Sequence, residues 1–158
     1  MSLVSVKEYL KGFKRFDIME FEQSSATVED AARTIGVNPD VIAKTVAFYD
    51  ESQEYAIIIV TSGLARISSG KFKRQFGFKP HMISFDQVES YTGHQPGGVC
   101  PFANPQGAKI YLDVSLKKHP WVYPACGSSN SAIKVTIEEL ETYVYNLQWV
   151  DLTQQDNQ

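Results

Sequence analysis

The sequence predicts an α+β domain: a mixed, curved, barrel-like β-sheet surrounded by helices. Three observations carry this expectation. Strand-length apolar segments outnumber helical ones and come in hairpin-length pairs, with AIIIV at 56–60 the longest uninterrupted run. The helical segments fall between them irregularly, not in the strict alternation of a parallel α/β fold. The chain has 158 residues, 43% hydrophobic and 21% charged, which suits one domain with its own core. One domain is expected over residues 1–152, with TQQDNQ at 153–158 a polar tail.

The elements follow in chain order. Leu3, Val6, Leu10 and Phe13 share one face of a helix over about 4–13. FDIMEFE at 16–22 reads as a strand. Thr27 opens a helix through Ile35, stopped by Gly36. Asn38-Pro39 pairs an N-cap with proline at the first helical position and starts a short helix ending near Lys44. KTVAFYD and EYAIIIVTS are strands around a turn at Glu51–Gln53. Ser69 to Phe76 is helical and capped by Gly77. PHMIS is a short strand. Ser84-Phe85-Asp86-Gln87 resembles a capping box for a helix that stops at Gly93. KIYLDVS, WVYPAC and AIKVT are strands. Thr136-Ile137-Glu138-Glu139 is a capping box for the last helix, and LQWVDL closes the chain as a strand.

Net charge is −3 and the isoelectric point about 5.6. A protein gripping nucleic acid through its phosphates alone carries a basic excess, so any RNA substrate must be held locally. KFKRQFGFK at 71–79 is the obvious patch, read either as such a grip or as a solvated helix face. No apolar run reaches membrane length, and the N-terminus lacks the apolar stretch and cleavage site of a secretion signal. Two cysteines, Cys100 and Cys126, and three scattered histidines offer no zinc spacing. No metal or cofactor is implied, and a reduced cytoplasmic protein is expected.

The chemistry concentrates in a few stretches. Within TGHQPGGVCPFANPQG, Gly97 and Gly98 allow positive φ and close approach to the main chain, and Pro101 stiffens the exit. Successive N–H groups from Gly98 through Val99 to Cys100 can form a concave nest for a developing oxyanion, although many such turns are only turns. Lys44, flanked by apolar residues, either snorkels to water or points its ammonium into a pocket. The run Cys126–Ala132, with Ser128, Ser129 and Asn130, caps a turn or lines a polar pocket. Cys100 invites a nucleophile reading with His94 as base. Gx-S-x-G, HExxH and P-loop patterns are absent, which removes the commoner hydrolase and phosphoryl-transfer readings.

IAKTVAFY, TGHQPGGVCPFANPQGAKIYLDVSL and PACGSSNSAIKVT, in that order and spacing, resemble the YbaK/EbsC family of prolyl-tRNA synthetase-associated editing domains. SSATVEDAARTIGV looks like that family's helix after the first strand. The resemblance implies a trans-editing deacylase that hydrolyses the ester of a mischarged aminoacyl-tRNA carrying a small or thiol amino acid, such as cysteinyl- or alanyl-tRNA(Pro). It implies the acceptor end of aminoacyl-tRNA as partner and suggests an aminoacyl-tRNA synthetase as another. The family's glycine-x-x-x-proline motif falls on Gly97 and Pro101, and its pocket lysine on Lys44. Ser128–Ala132 matches a loop at the pocket mouth, with Asn130 best placed, and Asp113 matches a position near the site. The chain departs from the pattern at Cys100, where other members carry serine or another residue, and in GSSNSA, which lacks the arginine of some members. Attack by water or by a group on the substrate explains why no triad is visible. Two alternatives stand beside this one: a non-catalytic module that binds an aminoacyl or nucleotide group, and a thiol hydrolase using Cys100 and His94.

Overall fold

The AIIIV run forms the centre of the fold. In the computed structural model, which describes residues 2–154, the strands are β1 (Met19–Glu20), β2 (Ile42–Tyr49), β3 (Ala56–Ser62), β4 (Lys109–Asp113), β5 (Trp121–Pro124), β6 (Ser131–Ala132), β7 (Val135–Thr136) and β8 (Gln148–Val150). The helices are α1 (Ser2–Lys11), α2 (Val28–Ile35), α3 (Ser69–Phe76), α4 (Val88–Thr92) and α5 (Ile137–Tyr143). Six strands form one mixed sheet, curled into a half-barrel, in the order β7-β5-β2-β3-β4-β8. β2 and β3 make the antiparallel hairpin, from Ala43↔Ser62 to Tyr49↔Ala56. β3–β4, β4–β8 and β2–β5 are parallel. β1 and β6 form a separate two-stranded pair.

Period-2 alternation sorts the side chains onto the two faces. Ala43 and Ala47, Ile58 and Val60, and Ile110 and Leu112 enter one core, covered by α1 through Val6 and Leu10 and by α5 through Leu140. The intervening Phe48, Ile57, Ile59 and Tyr111 face a second core under Phe72 of α3. Ile42 and Tyr123 meet Ala31 and Ala32 of α2 in a third. Every residue of β3 is buried because both faces are covered, which is why its sequence is continuously apolar instead of alternating.

The helix punctuation agrees with the sequence at α2, α3 and α5. Thr27 Oγ1 accepts from Asp30 N–H, Gly36 and Gly77 take the left-handed C-terminal position, and Thr136 and Glu139 form the reciprocal capping box. Several expected elements are shorter or different. Only Met19–Glu20 of the strand expected at 16–22 pairs, because β6 offers it just two residues. The helix expected after Asn38-Pro39 is one 3₁₀ turn, Pro39–Val41; the chain then extends into β2, drawn by the ladder with β3. Lys44 is therefore the third residue of a strand and not a helix end. PHMIS contributes a single bridge, Phe48↔Met82. The Ser84 capping box does not form: the Ser84 hydroxyl donates to Asp86 and Gln87 side chains, and a 3₁₀ turn at Phe85–Gln87 precedes α4. AIKVT divides between β6 and β7. Thr153 and Gln154, expected to begin the tail, are tied in by the Ile67↔Thr153 bridge and by Gln154 N–H donating to Arg66 C=O; the expected tail at 155–158 lies outside the described residues.

Candidate active site

A cleft opens where β2 loses its neighbour. β5 pairs with β2 only at Ile42↔Tyr123 and Ala43↔Pro124. Further along the same edge, Ile83 N–H donates to Ala47 C=O and Tyr49 N–H to His81 C=O. Lys44, Thr45 and Val46 lie between these two contacts. The start of α2 and the 97–99 loop close over the gap and leave a cleft of about 130 Å³, lined among others by Ala26, Ala31, Lys44, Thr45, Gly97 and Val99. Crevices where strands diverge are where sheet proteins commonly bind ligands.

The two glycines do different things. Gln95-Pro96-Gly97-Gly98 is a type II turn: Gly98 N–H donates to Gln95 C=O at 2.9 Å, and Gly97, at the third position, has φ +90°. Gly98 is instead a close-approach residue. A Cβ there would stand 2.6 Å from both the carbonyl carbon of Gly127 and the nitrogen of Ser128. Gly127 N–H donates to Gly98 C=O at 3.0 Å, so the 97–101 loop is clamped to the 127–131 segment. The far end of the loop is braced from inside. Asn104 Nδ2 donates to Thr92 C=O and Cys100 C=O, and His94 Nε2 to Phe102 C=O at 2.7 Å. Burial pushes the His94 imidazole below its ordinary pKa, although its bond to Phe102 and the charge of Glu89 resist the change.

Of the three N–H groups expected to form the nest, Gly98 has spent its own on the turn. Among the described residues nothing accepts from the N–H of Val99 or Cys100. Of these two residues Val99 lines the cleft, whereas Cys100 is fully buried and does not.

Lys44 lines the same cleft. Its side chain is half-buried and Nζ donates to Ala65 C=O at 2.6 Å. Burial lowers the ammonium's pKa, the neighbouring Arg66 lowers it further, and Glu29 and Asp40 pull it back. Among the described residues no carboxylate forms an ion pair with Lys44. Thr45, which the sequence reading missed, also lines the cleft, and its hydroxyl is buried without a partner. An orphan hydroxyl at a strand gap leaves no mark in sequence, since threonine is an ordinary strand residue.

The remaining expected residues lie elsewhere. Asp113 is fully buried, and its carboxylate accepts from Ser115 N–H, Leu152 N–H and Thr153 Oγ1, tying the end of β4 to the C-terminal segment. It does not line the cleft. Pro101 is buried and borders a different groove, with Tyr9 and Tyr145. Ser128 Oγ is engaged with Asn130 Oδ1 and Ser131 Oγ, and Asn130 Nδ2 donates to Phe21 C=O. Ser129 C=O accepts from Ser25 N–H at 2.7 Å. The segment 128–130 thus acts as a brace behind the cleft, with Ser131 and Ala132 on its lining. Cys100 is fully buried, 3.5 Å from His94 Nε2, and burial drives its thiol up to about 12. A thiol in that state is a small core hydrophobe and not a nucleophile.

The model of the aminoacyl-tRNA editing domain family matches residues 22–143, which include the cleft, the turn and the clamp described above; the chain belongs to this YbaK-like family. It is 47% identical over 153 residues to the uncharacterised protein YwhH of Bacillus subtilis (strain 168), covering 96% of this chain and 97% of YwhH. The crystal structure of a candidate trans-editing enzyme for prolyl-tRNA synthetase superposes with a TM-score of 0.85 at 27% identity, covering 98% of both chains. A scaffold protein used for presenting linear epitopes by computational design has the same fold, with a TM-score of 0.85 at 25% identity and 98% coverage of both chains.

Proposed function

We propose that the cleft deacylates mischarged aminoacyl-tRNA whose amino acid is small or carries a thiol, such as cysteinyl- or alanyl-tRNA(Pro), and so acts as a trans-editing carboxylic ester hydrolase serving translation fidelity in the cytoplasm. The observation that carries this is the meeting, on one 130 Å³ cleft, of Lys44 and Val99, which with the adjoining Cys100 has an unspent N–H group just after the Gln95–Gly98 turn. The ester carbonyl oxygen becomes negative as it is attacked, and fixed N–H donors beside it stabilise that charge without reorganising. Gly98 serves by clamping the loop and Gly97 by turning it, so the donors are those of Val99 and Cys100.

Lys44 adds positive charge from one wall. Its lowered affinity for a proton and its single carbonyl partner leave it able to re-aim toward a substrate oxygen. The buried Thr45 hydroxyl offers one more hydrogen bond for orienting the aminoacyl group. The attacking group is water, or a ribose hydroxyl or thiol of the substrate, since an aminoacyl ester needs positioning more than a strong nucleophile. The small volume and the methyl-sized walls at Ala26, Ala31 and Ala43 support selection of small acyl groups by exclusion. Residues 1–152 act as one editing domain, and a prolyl-tRNA synthetase is the partner this reading favours.

The test is a deacylation screen over a panel of mischarged tRNAs with Lys44→Ala alongside. Hydrolysis of small aminoacyl esters by the wild type, lost in a variant that unfolds at the wild-type temperature, is the expected result. An unchanged rate in the variant rejects the lysine's role. Binding of an aminoacyl-adenosine analogue without turnover replaces the enzyme by a binding module.

A further inference from the structure

The hydrogen bond from Lys44 to Ala65 links the cleft to a second, larger hollow. Ala65, whose carbonyl holds the Lys44 ammonium, lines a groove of about 720 Å³, bordered by Asn38, Asp40, Arg66, Lys118 and Asp151. The cleft has room for an acyl group, and the groove is several times larger.

The charges around the groove are mostly paired. Asp40 is bound by Lys118 at 3.1 Å and His119 at 2.8 Å, and Asp151 by Lys71 at 3.1 Å. Arg66 is the exception. It is exposed, and among the described residues no carboxylate pairs with its guanidinium. Arg66 directly follows Ala65, whose carbonyl holds the Lys44 ammonium at 2.6 Å, and its field lowers the proton affinity of that ammonium. In the 71–79 patch, Lys71 is already held by Asp151 and by Thr153 C=O.

We propose that this groove seats the terminal phosphodiesters of the RNA whose ester occupies the cleft, with Arg66 as the principal phosphate ligand and Lys118 at the rim. The proposal rests on the deacylase reading for its substrate. A nucleotide chain leaving the cleft past Lys44 enters the groove directly, and the first charges it brings are phosphates. A planar guanidinium without a protein partner presents two parallel N–H groups to phosphate oxygens, and Lys118 contributes a point charge it now shares with Asp40. A local anchor of this kind answers how a chain of net charge −3 holds RNA at all.

Three measurements on wild type, Arg66→Ala and Arg66→Lys test this. For a mischarged tRNA substrate, Arg66→Ala should raise KM about tenfold and reduce the salt slope by about one. For the matching 3′-aminoacyl-adenosine, which has no phosphodiester, KM should match the wild type, and any change in kcat through the field of Arg66 on Lys44 should be the same on both substrates. Arg66→Lys should recover part of the loss on tRNA. Equal KM and equal salt slope for wild type and Arg66→Ala, or an equal rise in KM on both substrates, overturn the proposal. Affinity for an uncharged acceptor-stem minihelix is read separately. It should fall about tenfold in Arg66→Ala whether or not any ester is cleaved, and an unchanged affinity overturns the groove assignment. Failure of the wild type to hydrolyse either ester refutes the deacylase reading alone.

Discussion

Replacing Gly98 by alanine sets a methyl group against main chain, where nothing can rotate away. The new Cβ would lie 2.6 Å from Gly127 C and Ser128 N and 2.8 Å from Gly127 O, against ordinary contacts that begin near 3.4 Å. One of the two segments must retreat by about 0.8 Å, which also strains the bond from Gly127 N–H to Gly98 C=O. Overpacking of this kind costs about 1–3 kcal/mol. In a domain of this size that lowers the melting temperature by about 2–12 °C. The catalytic cost is separate and larger: moving positioned donors by nearly 1 Å is expected to cut kcat/KM about 100-fold. Thermal unfolding by circular dichroism and single-turnover deacylation of a small aminoacyl-tRNA measure the two effects. A variant with unchanged melting temperature and rate would show that the backbone apposition does not shape the loop. A destabilised variant with undiminished kcat/KM would show that the Val99 and Cys100 amides play no part in the chemistry.

Two further predictions concern titration and reactivity. Cys100→Ala should retain most of the wild-type deacylation rate, and iodoacetamide should leave the folded protein active, because a thiol held near 12 and fully buried offers no thiolate; rapid inactivation would restore the thiol hydrolase. Asp40 is pushed up by burial, yet the hydrogen bonds from His119, Leu64 N–H and Lys118 outweigh this and lower it from 3.8 to about 2. Its contribution to stability, about 2 kcal/mol, is complete above the unfolded value and is lost as the pH falls toward 2. The stability gap between wild type and Asp40→Asn in urea unfolding should therefore be present at pH 7 and vanish near pH 2; a gap independent of pH would show that the carboxylate's charge is not what stabilises the fold.

Local chemistry alone made much of this protein legible. The apolar run at 56–60, the alternation in β2 and the caps at Thr27, Gly36, Gly77 and Thr136 act within a few residues, so each is written in order along the chain. Lys44 and Gly97, singled out as residue types in unusual company, do meet on one cleft. What required the tertiary structure was everything set by strands and loops far apart in sequence. Only the ladder between Ala43 and Ser62 turned the expected helix before Lys44 into a strand. Only the apposition of residues 98 and 127 showed that the second glycine clears backbone and not a ligand. Asp113 and Asn130 enter as site residues through the family resemblance, which matches positions and says nothing of the bonds their side chains make. Their partners, at Leu152 and Phe21, lie tens of residues away or more, and it is those bonds that make them braces. The sequence determined which groups were available and which short segments would coil or extend. The long-range contacts decided which of those groups were already spent on holding the fold together and which remained free to act on a substrate.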